Sequence, residues 1–166
     1  MAILLSLPVM ILALMVQLGI ASNLPLLGGT ADPVMVILIA WALQENVKSA
    51  WIWAMVGGVL TSALSALPNF TPLIYYLLVV GLIRLLRRRV WQIPILVMFI
   101  GIVLGTTIQH LVSLIVLFIS GNNLPLAESL SWVTLPSILL NLLIALPVYA
   151  IMTDLAKVVY PLEVNA

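Results

Sequence analysis

The chain has 166 residues, of which 64% are hydrophobic and 7% charged, with a formal net charge of +1 and no cysteine. Soluble domains carry about 25% charged residues, so a water-soluble fold of this composition would leave a large apolar surface exposed. The near-neutral charge argues against a nucleic-acid partner, and the lack of thiols excludes disulfides, zinc–thiolate sites and thiol catalysis.

Apolar runs close to bilayer-spanning length recur along the chain. They are continuous rather than alternating, which sets aside a β-barrel. The expectation is an all-α membrane protein, one polytopic domain over residues 1–166, with six transmembrane helices at about 2–21, 34–43, 49–67, 73–86, 91–119 and 132–152. The first run lacks the positive n-region of a cleavable signal and reads as a retained helix. A loop follows, with Asn23, Pro25, Gly28 and Gly29 as turn residues. Asp32 offers an N-cap and Pro33 suits the first helical position of the short second span. QENVK, residues 44–48, is the polar break before the third span. Pro68, Asn69 and Pro72 make a turn into the fourth span, which the arginines of RLLRRR follow. The fifth span would be roughly 43 Å long as one helix. Ser120 to Ser131 is the longest loop, and Pro136 and Pro147 are expected to kink the sixth span.

Six crossings put Lys48, Arg84, Arg87, Arg88, Arg89, Lys157 and both termini on one side, and no Lys or Arg on the other. Cytoplasmic loops are the ones enriched in Lys and Arg. Both termini are therefore expected in the cytoplasm, with Arg84, Arg87, Arg88 and Arg89 as a topology anchor that can also meet anionic lipid. Trp51, Trp53, Trp91 and Trp132 fall near span ends, as interfacial rings do.

Little in the chain suggests catalysis. The lone His110 has no carboxylate near it in sequence, no nucleophile or phosphate-loop motif occurs, and no metal-ligand set is present. Asp32, Glu45, Glu128, Asp154 and Glu163 all fall at span ends or in loops, which disfavours ion-coupled transport. The expectation is a protein without catalytic residues or cofactor. Polar residues inside spans, among them Gln17, Thr61, Ser62, Gln109, His110 and Asn141, should face the bundle interior. Thr106, Gln109, His110 and Ser113 share one helix face. They read either as interhelical glue or as a polar ligand pocket. Ala54, Gly58, Ser62 and Ala66 recur every four residues with Gly57 beside them, and Gly101 and Gly105 form a GxxxG pair. Such faces let helix backbones meet closely, inside the protein or against a partner helix.

The order of these features resembles one family, the rod shape-determining membrane proteins MreD of bacteria. The counterparts are Gln17 near the first span end, Asp32 within TADPVMVILIAWAL, the break QENVK, Gly57 and Gly58 within AMVGGVLTSALS, and RLLRRR. The likeness covers roughly residues 10 to 90; beyond that it rests on span count and length. The family's Pro-Asp order stands here as Asp32-Pro33, and Ser62 stands where the family has an acidic residue. The resemblance implies a non-enzymatic scaffold in the bacterial cytoplasmic membrane. It would bind the transmembrane helix of MreC and join RodA, a class B penicillin-binding protein and MreB in cell-wall elongation. It also implies a fold similar to the S components of energy-coupling-factor transporters. A vitamin-binding S component is thus the alternative, with Asn122, Asn123 and Glu128 in its outer loop.

Overall fold

The computed structural model describes residues 2–45, 47–68, 70–89, 93–122 and 130–161. Trp91, Asn123 and Glu128 lie outside the described residues, as do Asn46, Asn69 and Glu163. Among the described residues the chain is helical, without a β-strand: α1 Ala2–Gly19, α2 Pro33–Ala42, α3 Ala50–Leu64, α4 Thr71–Arg89, α5 Pro94–Ile119 and α6 Leu135–Val159. A 3₁₀ turn, Ala21–Asn23, closes α1, and one π turn, Leu130–Thr134, opens α6.

Helix α2 occupies the centre. Its sequence, PVMVILIAWA, is apolar on every side, and such a helix is stable only when enclosed. Nine of its ten residues are buried, and it touches all five other helices. Around it α1 packs on α3, α3 on α4, α4 on α5, and α5 on α6. At 10 residues α2 is about 15 Å long, half the hydrocarbon thickness of a bilayer. The 15-residue α3 is also short of that thickness. Three helical stretches are long and apolar enough to cross a membrane: Ala2–Asn23, Pro94–Ile119 and Ser131–Val159.

The outer surface is aliphatic. Leu4, Leu7, Ile11, Met15 and Leu18 project from α1, and Leu135, Leu139, Leu143 and Leu146 from α6. Exposed rows of this extent are untenable in water and ordinary against lipid chains, which are as apolar as leucine.

Several elements differ from the sequence-based expectation. Helix α4 runs on through Arg89, so the arginines lie on its last turns and not in a loop. Helix α5 starts at Pro94, where proline fits the first turn. Helix α6 extends to Val159 and takes in Asp154 and Lys157, which pair at 2.9 Å on its surface. Pro136 sits in the first turn of α6 and only Pro147 is interior, so one proline, not two, interrupts its hydrogen bonding. Trp53 is no interfacial ring. It is fully buried, stacks on Trp41 with centroids 4.2 Å apart, and donates from Nε1 to the Ala2 carbonyl at 2.9 Å. Trp51 and Trp132 are exposed.

Gly28 and Gly29 serve space and not backbone sign. The positive φ of this loop falls on Leu27, at 57°. A Cβ on Gly29 would stand 2.6 Å from the Val133 carbonyl oxygen and from the Ser137 amide nitrogen. The loop thus lies directly on the backbone of the π turn.

Candidate functional site

The chain enters α2 through a non-helical stretch, Thr30 to Asp32, buried progressively within the bundle. Backbone of this kind at membrane depth must have its N–H and C=O groups satisfied by protein. Helix α6 supplies the partners. Thr30 N–H donates to Ser137 Oγ at 3.1 Å, and Asp32 N–H to Asn141 Oδ1 at 2.7 Å. Alternate residues of an extended chain are about 6.6 Å apart, and residues four apart on a helix rise about 6 Å. That match lets one face of α6 hold the strand-like segment. Asn141 is completed by donating from Nδ2 to Thr106 Oγ1 at 3.0 Å.

Asp32 is the hub of this junction. Its Oδ1 caps α2 by accepting from Met35 N–H at 2.9 Å. The Tyr76 hydroxyl lies 3.0 Å from Oδ1 and 2.9 Å from Oδ2, and Gln109 Nε2 donates to Oδ2 at 2.8 Å. The carboxyl group is 4% exposed and joins α2, α4 and α5, while its own amide joins α6. An anionic group suits the positive end of the α2 dipole. Asp32 keeps its expected place at a span end, as the N-cap of α2, yet it is buried. Asp32 does precede the helix in sequence, but that helix begins inside the protein.

The other end of α2 is held by cations. Arg84 donates to the Val47 carbonyl at 2.5 Å and Arg87 to the Gln44 carbonyl at 2.6 Å. Gln44 Nε2 reaches Thr153 Oγ1 at 3.0 Å, and Ser49 Oγ lies 3.2 Å from the Tyr160 hydroxyl. Arg84 and Arg87 are therefore not free anchors: they donate to carbonyls of the connection that follows the central helix. Arg88 is exposed, and the side chain of Arg89 lies outside the described residues.

The small residues pack within the bundle. Gly57 faces Met10, Val34 and Leu38, and a Cβ on Gly58 would stand 2.6 Å from Leu73 Cα. Ala54 is fully buried. Gly101 lies against Ile83 and Ile39, and Gly105 against Val79 and Ile39. The glycine faces are thus occupied by the protein's own helices. The polar face of α5 divides. Thr106 and Gln109 join the Asp32 junction, His110 Nδ1 turns to Thr134 Oγ1 at 2.8 Å, and Ser113 bonds back to the Gln109 carbonyl. Gln17 Oε1, Thr61 Oγ1 and Ser62 Oγ are buried without a hydrogen-bond partner among the described residues.

Asp32 as a hub, Tyr76 and Ser137 were not singled out as site residues from the sequence. The one available signal was Asp-Pro directly before ten unbroken apolar residues. No family model, no curated protein and no solved structure matches this chain.

Proposed function

We propose that this chain is a non-enzymatic, MreD-like scaffold of the bacterial cell-wall elongation machinery, binding the transmembrane helix of MreC in the cytoplasmic membrane. One observation carries this reading. Most of the residues on which the resemblance rests are joints of the central helix or of its neighbours: Asp32 at its start, Gln44 and Val47 with Arg87 and Arg84 beyond its end, Gly57 at its side, and Gly58 between α3 and α4. The ordered motif therefore coincides with what holds the bundle together. Polar side chains that would serve chemistry in an enzyme are here engaged in bracing the short central helix.

The six segments would cross the membrane alternately. The exposed Lys48, Arg88 and Lys157 share the bundle end with both chain ends, and that end faces the cytoplasm. Because the glycine faces are filled, a partner helix meets the aliphatic exterior. Association in lipid then depends on shape and packing, not on a hydrophobic driving force.

Affinity capture of the C-terminally tagged chain from native membranes in mild detergent tests the proposal. MreC, RodA or a class B penicillin-binding protein should be recovered. Recovery of ATPase subunits with a transmembrane coupling protein would overturn the scaffold reading in favour of an S component.

A further inference from the structure

The seam between α3 and α4 carries an amphipathic pattern on its outer side. The two helices run antiparallel. Gly58 meets Leu73 toward one end, and toward the other the tip of the Trp51 ring lies 3.0 Å from where a Cβ on Gly81 would stand. Exposed apolar side chains flank that seam. Trp51, Met55 and Val59 recur every four residues on α3, and Ile74, Leu78 and Leu85 share the Gly81 face of α4.

Cations stand at the basic end of the same seam, in register with it. Arg84 and Arg88 follow Gly81 by one and two helical turns, on the same side of α4. The Arg84 guanidinium donates to the Val47 carbonyl at 2.5 Å. Lys48 is the next residue, so the connection into α3 brings a third cation beside them. Lys48 and Arg88 are exposed, and Arg84 keeps further N–H donors beyond the one given to Val47. Glu45, the one carboxylate in residues 43–49, acts on Arg87. The one ion pair among the described residues joins Lys157 to Asp154 on α6, so Lys48, Arg84 and Arg88 have no carboxylate partner there.

We propose that this seam binds an anionic phospholipid of the leaflet at the basic end of the bundle. Lys48, Arg84 and Arg88 take its phosphate, Trp51 sits at the level of its glycerol backbone, and an acyl chain lies along Met55, Val59, Leu78 and Ile74. A guanidinium meets phosphate through parallel N–H bonds, and indole rings favour the interface. The length also fits. Leu85 to Ile74 covers about 17 Å of helix axis, and the hydrocarbon of one leaflet is about 15 Å deep. A free phosphate would leave the apolar rows uncovered, and an uncharged lipid would leave the cations without a counter-charge. The site requires the membrane placement of the chain and not its role as a scaffold.

The test is tryptophan fluorescence of the purified full chain in nanodiscs of mixed phosphatidylglycerol and phosphatidylcholine, with brominated acyl chains on one lipid or the other. Quenching should be stronger when phosphatidylglycerol carries the bromine, and Trp51→Phe should reduce that excess. Lys48→Ala and Arg88→Ala change exposed side chains and should fold, each weakening the preference for phosphatidylglycerol about fivefold. Lys157→Ala, at the same end but paired with Asp154, should leave it unchanged. Equal quenching by the two lipids would overturn the proposal, as would an excess that survives Trp51→Phe or the Lys48→Ala/Arg88→Ala double variant. An equal loss in Lys157→Ala would mean a general attraction to the basic end. Removal of the excess by inorganic phosphate at constant ionic strength would make a free anion the occupant. Either result sinks the lipid site.

Discussion

Gly58 and Gly29 show how single atoms set the limits of this bundle. A methyl group on Gly58 would stand 2.6 Å from the Leu73 backbone, and one on Gly29 equally close to Val133 and Ser137. Neither neighbour is a flexible side-chain end, so α3 would have to move from α4, and the loop from the start of α6. Gly58→Ala and Gly29→Ala should each lower stability by about 1–3 kcal/mol, read as a lower melting temperature in detergent. Gly19→Ala has nothing within 4 Å and should leave it unchanged. The regular small-residue spacing of α3 was visible in the sequence. Its direction was not, because glycines that admit a partner helix and glycines that admit a neighbouring helix have the same spacing. Asn141 is the polar counterpart. Asn141→Ala would strip partners from the Asp32 amide and from Thr106 at once, and a buried group left unsatisfied costs about 1–3 kcal/mol.

At the scale of elements, α2 behaves as a short rod clamped at both ends, by Asp32 at its N-terminus and by Arg84 and Arg87 beyond its C-terminus. The arginine run read as one topology signal, yet its members act differently. Arg84→Met with Arg87→Met should lower the melting temperature and open the 43–48 connection to protease. Arg88→Ala should do neither. Equal effects of all three would mean that the cluster acts only through its charge. The N-cap of α2 was legible because Asp-Pro carries its own local geometry. The docking of that cap on Tyr76, Gln109 and Asn141 spans 44 to 109 residues of sequence, and no local pattern encodes it.

For the whole molecule, the hydrogen bonds from Trp53 to Ala2, from Gln44 to Thr153 and between Ser49 and Tyr160 gather the first and last helices at the basic end. The lack of native cysteine makes the proposed orientation directly measurable. Lys48→Cys and Lys157→Cys should react with an impermeant maleimide only after the membrane is opened. Leu27→Cys and Asn122→Cys should react in intact cells. Labelling of Lys48→Cys and Leu27→Cys from the same side would rule out the alternating six-segment path.

Composition alone pointed to the class of this protein, because a chain with 64% hydrophobic residues leaves much apolar surface exposed, which a bilayer would cover. Local signals also placed most helices: apolar runs, an Asp-Pro cap, and polar breaks act within a few residues. Only the tertiary structure decided that the short second apolar run lies at the centre, that the arginines divide between clamp and surface, and that Asp32 is buried. Those outcomes depend on which distant side chains satisfy a buried backbone, and that choice is made by packing across the bundle.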